Sequence, residues 1–170
     1  MFGNKTFIIA EIGNNHEGSY KVAKEMIIHA SEAGVDAVKF QTFKVNEFLN
    51  KHHEKFNFYK KLELTQNEFF NLYEFSKKKN LYFISTPLDI PSVKFLSKFA
   101  DGLKIASADI DYFPLIETIQ KTRKPTILST GMSDFKRISK AYKYFSHLNP
   151  KNFAIMHCVS SYPAEKNTLN

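Results

Sequence analysis

Six short apolar segments recur along the chain, and each is rich in β-branched or aromatic residues. Continuous apolar runs of this length are typical of strands that are covered on both faces of a parallel sheet. Between these runs the apolar residues recur at spacings of three and four, which indicates amphipathic helices. The predicted strands span residues 7–12, 35–40, 81–85, 103–106, 126–129 and 153–158.

Two of the predicted helices carry clear boundary signals. The helix over 20–33 is followed by Gly34, a residue suited to ending a helix. The next helix begins after Thr65, with Glu68 three residues later, which is the signature of a capping box. Fainter helical patterns cover 90–99, 113–123 and 134–147.

Strands and helices therefore alternate, with six strands, five helices and one long connection from Thr42 to Leu64. This alternation predicts a parallel α/β fold, either an open doubly wound sheet or a (β/α)8 barrel. A dinucleotide-binding open sheet would place a glycine-rich turn after its first strand, whereas Glu11 to His16 are mostly polar. The pattern favours the TIM barrel.

A TIM barrel needs eight strands and about 250 residues. The sequence supplies six strands in 170 residues. We therefore expect residues 1–170 to be a partial TIM-barrel catalytic domain that lacks the last two βα units. The alternative is a barrel that closes by an unusual route.

Composition narrows the function classes. The chain is 43% apolar and 24% charged, which excludes a disordered protein, and its formal net charge of +7 is spread along both halves. No zinc-finger or RNP-type motif accompanies the basic residues, so we expect no nucleic-acid partner. No apolar run approaches the length of a membrane span, and the single Cys158 excludes an internal disulfide framework. These features predict a cytoplasmic protein without a membrane partner.

Polar side chains stand at the end of every predicted strand. In TIM barrels the active site is built from the carboxyl ends of the strands and the loops that follow them. The strand ends carry Glu11, Asn14, Asn15 and His16, then Lys39, Gln41 and Thr42, then Ser85 and Thr86, then Lys104, Ser107 and Asp109, then Ser129 and Thr130, and last His157, Ser160, Ser161 and Tyr162.

These residue types suggest an anionic substrate. The ammonium groups of Lys39 and Lys104 suit phosphate or carboxylate oxygens, and the hydroxyls and amides would orient the ligand. Glu11 among these cations would stay ionised and could act as a general base or position a hydroxyl or water.

Several of these residues could instead have a purely structural role. Lys39 could be a buried ion-pair partner of Glu11. Thr86 before Pro87 and Ser129 before Thr130 could serve turns.

Other polar side chains likewise have two possible roles, one structural and one functional. His157 fits a hydrogen-bonded core histidine better than a metal ligand, and His16 could anchor its own loop or touch the substrate. Asp109 and Asp111 could form a carboxylate dyad or belong to the loop before a helix.

At these positions the chain resembles the N-acetylneuraminate (sialic acid) synthase family, which includes legionaminic and pseudaminic acid synthases and spore-coat polysaccharide synthases. The resemblance rests on six blocks in order: Ala10-Glu11-Ile12-Gly13 with Asn15-His16 and Gly18, Val38-Lys39-Phe40-Gln41-Thr42, Ser85-Thr86-Pro87, Lys104-Ile105-Ala106-Ser107, Leu128-Ser129-Thr130-Gly131-Met132 and His157-Cys158-Val159-Ser160-Ser161-Tyr162-Pro163. It implies a transferase that condenses phosphoenolpyruvate with an N-acylated amino sugar to give a nonulosonic acid and phosphate.

The resemblance also implies roles for single positions. Glu11, Lys39 and Lys104 are the implied catalytic residues. Residues that match positions near phosphoenolpyruvate are Lys39, Thr86, Lys104, Ser107, Ser129 and Ser160, and those expected near the acceptor sugar are Gln41 and Tyr162, with Asn15 and His16 as further substrate-binding candidates.

The family uses a divalent metal, Mn²⁺ or Mg²⁺, as a Lewis acid. Its two metal histidines belong to blocks that this sequence does not contain, so we assign no metal ligand here and expect the ligands beyond residue 170. The family also implies a homodimer and a C-terminal antifreeze-like domain that this chain lacks. The chain alone is then expected to be inactive, or to bind phosphoenolpyruvate weakly.

Two alternatives stay open. The first is another phosphoenolpyruvate-condensing synthase that acts on phosphorylated aldoses, which would need further cations near Gln41 and Tyr162. The second is a partial barrel without catalysis, acting as a binding or assembly module whose open sheet edges favour association.

Overall fold

The six apolar runs form one parallel sheet in which each strand lies beside its neighbour in sequence, in the order β1-β2-β3-β4-β5-β6. The computed structural model describes residues 5–147, 152–161 and 163–168. The strands are β1 (Ile9–Gly13), β2 (Ala37–Thr42), β3 (Tyr82–Pro87), β4 (Gly102–Ile105), β5 (Thr126–Ser129) and β6 (Phe153–Met156). Consecutive parallel strands joined by helices are the architecture of a TIM barrel, and the predicted fold class is confirmed for a six-stranded portion of one.

Strand ends differ from the prediction where polar residues continue the ladder. β2 and β3 each extend two residues beyond their apolar runs, because Gln41 pairs with Thr86 and Thr42 with Pro87. Main-chain hydrogen bonds do not depend on side-chain polarity, so a periodicity analysis ends such strands too early. β6 ends at Met156, two residues before the predicted limit.

Seven α-helices lie in the described part of the chain, two more than the sequence pattern predicts. They are α1 (Tyr20–Glu32), α2 (Val45–Phe48), α3 (Phe56–Leu62), α4 (Gln66–Lys78), α5 (Ile90–Leu96), α6 (Phe113–Lys121) and α7 (Phe135–Lys143). The capping box at the start of α4 is present, with Thr65 and Glu68 bonding reciprocally. Among the described residues, no helix combines the length and the apolar character that crossing a membrane requires.

The connection between β2 and β3 holds the two additional helices. Phe43, Phe48 and Tyr59 pack edge to face, with ring centroids 5.2 to 6.1 Å apart. Glu63 joins the segment's two ends, since it forms ion pairs with Lys44 and Lys60. These contacts fix short helices that lack a long apolar repeat of their own, so the sequence pattern does not predict them.

The two faces of the sheet have different roles. The outer face presents large apolar side chains such as Phe40 and Phe83 to the helices, and their rings stack with centroids 5.3 Å apart. On the inner face, Ala37, Ile84 and Ile127 form a small apolar cluster. Because side chains alternate along a strand, the inward positions beyond that cluster bring polar residues to the carboxyl end of the sheet. Those residues are Glu11, Lys39, Gln41, Thr86, Lys104 and Ser129.

Candidate active site

A cavity of about 750 Å³ opens at the carboxyl ends of the strands, and we call it the site cavity. Its polar lining contains nine residues of the sequence prediction. They are Glu11, Asn15, Lys39, Gln41, Thr86, Lys104, Ser107, Ser129 and Ser160. The residues come from the ends of β1 to β5 and from the loops after β1, β4 and β6, so the fold brings together positions far apart in sequence.

An ion pair joins Glu11 to Lys39 across the inner face of β1 and β2. The two residues are direct neighbours in the strand register, which places both side chains on the same face at the same height. The side chain of Lys39 is only 4% exposed, whereas that of Glu11 is 53% exposed. The buried cation thus has its counter-charge, and the carboxylate of Glu11 remains open to the cavity.

Lys104 is the second lysine in the lining of the site cavity, and its charge interacts with that of Asp109, which lines a neighbouring cavity. Burial lowers the pKa of Lys104, and the positive charge of Lys39 lowers it further, against opposing effects of Glu11, Cys158 and Asp109. Burial raises the pKa of Asp109, which Lys104 partly offsets. Both shifts bring the group nearer to a neutral form, and such perturbed groups in a cleft indicate a functional site.

Hydroxyl groups surround these charges. Ser107 donates a hydrogen bond of 2.8 Å to Ser129. A Cβ atom added at Gly131 would lie 2.6 Å from the Ser160 hydroxyl and 2.9 Å from that of Ser107, so this glycine is needed for the hydroxyls to converge. Thr86 lies inside β3, so the turn role considered for it is wrong. Ser129 is the last residue of β5, and its hydroxyl accepts the hydrogen bond from Ser107.

The amides of Asn14 and Gln41 also line the cavity. The Nδ2 of Asn14 donates a hydrogen bond to the Oε1 of Gln41. The Oδ1 of Asn14 is buried and has no hydrogen-bond partner among the described residues. The sequence predicts no role for Asn14, because nothing in it shows that this residue contacts Gln41.

His16 lies beneath the loop after β1 rather than in the cavity lining. Its ring is 1% exposed, and its Nδ1 accepts a hydrogen bond of 3.1 Å from the backbone N–H of Gly18. Burial lowers its pKa, partly opposed by the charge of Glu68. Of the two roles considered for His16, the structure places it in loop anchoring.

The predictions for the residues around β6 differ in how they compare with the structure. His157 is exposed after the end of this edge strand, so the expectation of a buried core histidine is wrong. Its neighbour Cys158 lines the cavity instead. Tyr162 lies outside the described residues.

Asp109 and Asp111 do not form a carboxylate dyad. The short 3₁₀ helix Ser107–Asp109 turns the chain here, so the two side chains diverge. Asp111 forms an ion pair of 2.6 Å with Arg137, whereas Asp109 is coupled to Lys104. Asp109 therefore lies next to the site cavity rather than in its lining, and it acts on the cavity through the charge of Lys104.

The described residues do not fit a divalent metal. Within residues 5–147, 152–161 and 163–168, no group of three or more His, Cys, Asp or Glu side chains is arranged to hold one. Of the carboxylates near the cavity, Glu11 is paired with Lys39, and Asp109 faces a cationic lysine.

Comparisons with known proteins show what the chain is similar to. The NeuB family profile matches residues 26–170. The chain is 43% identical over 169 residues to the uncharacterized protein MJ1065 of Methanocaldococcus jannaschii, covering 99% of this chain and 50% of that protein. It is 35% identical over 183 residues to N,N'-diacetyllegionaminic acid synthase of Legionella pneumophila, covering 96% of this chain and 51% of that protein.

A solved structure also matches along the entire chain. It is N-acetylneuraminic acid (sialic acid) synthetase from Leptospira borgpetersenii serovar Hardjo-bovis in complex with citrate, with a TM-score of 0.89 and 35% identity. The match covers 100% of this chain and 62% of that one. The chain spans about half the length of the curated relatives named above.

Proposed function

Because the chain belongs to the NeuB family, we propose that it forms the phosphoenolpyruvate-binding side of a nonulosonic acid synthase. The reaction joins phosphoenolpyruvate to an N-acylated amino sugar, such as N-acetylmannosamine or a 2,4-diacylamino hexose. The product is a nine-carbon 2-keto acid, and inorganic phosphate is released.

One observation carries this proposal: two lysines and four hydroxyl groups line a single cavity at the carboxyl ends of the strands. The residues are Lys39, Lys104, Thr86, Ser107, Ser129 and Ser160. Phosphoenolpyruvate carries its phosphate ester and its carboxylate on the same carbon, C2, and separate cations with hydroxyl donors suit such a ligand.

The charged residues have different roles in the reaction. The new carbon–carbon bond forms between C3 of phosphoenolpyruvate and the aldehyde carbon of the sugar, water adds at C2, and the bond to phosphate then breaks. Glu11 is open to the cavity and is suited to orient that water and accept its proton. Lys104, which lines the cavity and whose pKa is lowered by burial, is suited to supply a proton to the developing alkoxide.

The remaining features belong to the complete protein. We expect turnover to require eight strands and a divalent metal, Mn²⁺ or Mg²⁺, whose ligands come from residues other than the described ones. The chain by itself is then inactive and binds phosphoenolpyruvate weakly. We further propose that the complete synthase works in the cytoplasm as a homodimer on small-molecule substrates.

Calorimetric titration of the chain with phosphoenolpyruvate tests the proposal directly. We expect saturable binding that is lost in Lys39→Ala and Lys104→Ala and retained in Lys136→Ala, which changes an exposed lysine outside the cavity. Binding that ignores both cavity lysines would contradict the assignment.

Phosphate release by a version completed to eight strands tests the reaction. N-acetylmannosamine, a 2,4-diacylamino hexose and a phosphorylated aldose would be compared as acceptors, with metal present. Release only with the phosphorylated aldose would favour the other class of phosphoenolpyruvate-condensing synthase. Release with none of them, despite phosphoenolpyruvate binding, would favour a binding module.

A further inference from the structure

One arginine side chain joins two of the loops that carry the site hydroxyls. The loop after β4 contains Ser107 and Asp111, and the loop after β5 contains Gly131 and Met132. Arg137 lies in the first turn of α7, and its guanidinium bonds to Asp111 in one loop and to Met132 in the other. We call this arginine with its two partners the loop clamp.

The loop clamp uses three separate nitrogen atoms of one side chain. Nε and Nη2 of Arg137 lie 2.7 and 2.6 Å from Oδ2 of Asp111, and Nη1 donates a hydrogen bond of 2.9 Å to the backbone carbonyl of Met132. The backbone of Arg137 is fixed as well, because its N–H donates to the capping side chain of Asp134 at 2.7 Å. A planar guanidinium holds its donors in a rigid fork, so the clamp sets the separation of the two loops.

Met132 has a backbone conformation that needs support from its surroundings. Its φ is 54°, in the left-handed region that residues other than glycine rarely adopt. Such conformations persist where neighbouring contacts hold them, and they are concentrated at functional sites. Arg137 provides one such contact at the Met132 carbonyl, and Met132 lines the site cavity.

The same two loops also meet on their inner side, where the hydroxyls converge. Ser107 donates its hydrogen bond to Ser129, and a Cβ atom at Gly131 would lie 2.9 Å from the Ser107 hydroxyl. Thr130 bonds to the carbonyl of Met156 through both its N–H and its hydroxyl. The loop after β5 is therefore held by β6 on one side and by the loop after β4 on the other.

Arg137 and Asp111 do not themselves contact an anion in the site cavity. Neither residue lines that cavity, and both side chains are nearly half exposed. Their opposite charges lie side by side, so the pair adds little net field to the cavity. An effect of the pair on a bound ligand must therefore pass through the position of the two loops.

We propose that the loop clamp positions the hydroxyls of Ser107 and Ser129 for the phosphate of phosphoenolpyruvate. The inference rests on the proposed function, which places that ligand in the site cavity. Arg137 and Asp111 are positioning residues in this account, and neither belongs to the six sequence blocks of the family resemblance. With the clamp closed, the loops are ordered before the ligand arrives, and a preorganised site binds more tightly because less entropy is lost on binding.

Calorimetric titration of the chain with phosphoenolpyruvate tests the clamp through the sign of two substitutions. Arg137→Ala opens the clamp, and we expect the affinity to fall about fivefold, near the limit of what an exposed ion pair contributes. Asp111→Asn removes one anchor and should weaken binding about threefold. Charge alone predicts the opposite sign for Asp111→Asn, because loss of a negative charge near the cavity favours an anion.

Three further variants separate the clamp from the charge of Arg137. The double variant Arg137→Ala/Asp111→Asn should bind about as weakly as Arg137→Ala, because the second substitution meets a clamp that is already open. Arg137→Lys keeps the charge but loses the fork, so it should still weaken binding about threefold. Lys136→Ala removes an equal charge from the neighbouring exposed residue and should leave the affinity unchanged.

Urea unfolding and hydrogen exchange distinguish positioning from a loss of structure. The urea midpoint of each variant should stay close to that of the unchanged chain, since exposed ion pairs contribute little to stability. The Thr130 amide is bonded to the Met156 carbonyl and reports on the loop after β5. Its exchange should become faster in Arg137→Ala and stay the same in Lys136→Ala.

The outcomes separate this inference from the proposed function. If phosphoenolpyruvate binds the unchanged chain, and Arg137→Ala and Asp111→Asn bind it equally well, the clamp is wrong and the proposed function stands. Tighter binding by Asp111→Asn would show that only charge acts, and it would overturn the clamp. A urea midpoint that falls in parallel with the affinity would overturn it too, since the pair would then serve folding. Failure of phosphoenolpyruvate to bind the unchanged chain would contradict the proposed function and the clamp with it.

Discussion

Glu11 and Lys39 are neighbours in the register of β1 and β2, and their side chains form an ion pair at the inner mouth of the sheet. The pairing is asymmetric, because the lysine is buried and the carboxylate is half exposed. It keeps a cation in place at the site cavity before any anionic ligand arrives.

The substitution Glu11→Gln tests the structural role and the chemical role of the Glu11 carboxylate separately. Glu11→Gln leaves the buried ammonium of Lys39 without its counter-charge, so we expect the free energy of unfolding to fall by about 1–2 kcal/mol. Phosphoenolpyruvate should bind at least as tightly, since Lys39 is released for the phosphate, while phosphate release by the completed enzyme should fall at least about a hundredfold.

Urea unfolding, calorimetric titration and a phosphate assay measure these three effects. Glu74→Gln is the matched control, because Glu74 is exposed and lies outside the site cavity. Unchanged turnover in Glu11→Gln would remove Glu11 from the chemistry.

Lys104 should make ligand binding depend on pH. Its pKa is lowered by burial and by the charge of Lys39, and only the protonated amine attracts an anion. The affinity for phosphoenolpyruvate should therefore fall as pH rises through that lowered pKa, which lies below the usual lysine value of about 10.4. Titrations from pH 6 to about 10 measure this profile.

Lys104→Arg should flatten the profile, because arginine keeps its charge throughout this range. Lys124→Arg is the control: burial also lowers the pKa of Lys124, but its amine is bonded to the carbonyl of Ala100, away from the cavity. A profile that changes only with Lys124→Arg would refute the assignment.

Asp109 should lower stability at neutral pH. Burial raises its pKa in the folded state above the unfolded value. Its contribution to stability is therefore fully present at pH values below the unfolded pKa and is lost as pH rises through the folded one. Asp109→Asn should raise the urea midpoint at pH 7 and have little effect near pH 3.

Asp111→Asn provides the contrast, since it removes the ion pair with Arg137 and has no buried charge to relieve. It should not stabilise the chain at pH 7. An equal gain from both substitutions would show that burial of Asp109 is not the cause.

Gly131 should be required for ligand binding but not for folding. A methyl group in Gly131→Ala meets the hydroxyls of Ser107 and Ser160, which can rotate away but then leave their converging positions. We expect phosphoenolpyruvate binding to weaken about tenfold, with a change in the free energy of unfolding below about 1 kcal/mol.

Gly34→Ala should behave in the opposite way. Its φ of +74° disfavours a side chain, although nothing lies within 4 Å of the added carbon. It should cost about 1 kcal/mol of stability and leave ligand binding intact. Calorimetric titration and urea unfolding of both variants would check this reciprocal pattern, and weaker binding in both would contradict it.

The sequence by itself determined the fold class and most of the site cavity. Parallel strands place their carboxyl ends at one edge, so polar residues after Ile9, Val38 and Leu103 had to converge once the strands were recognised. The capping box at Thr65 and Glu68 was equally readable, because its contacts are local.

Only the tertiary structure decided contacts between residues distant in the chain. The bond from Asn14 to Gln41, the burial of His16 and the approach of Asp109 to Lys104 depend on how neighbouring strands and loops meet. The helices of the connection after β2 form through aromatic contacts with no periodic pattern to reveal them. Periodicity reports which face a side chain takes within its own element, whereas its partners follow from packing between elements.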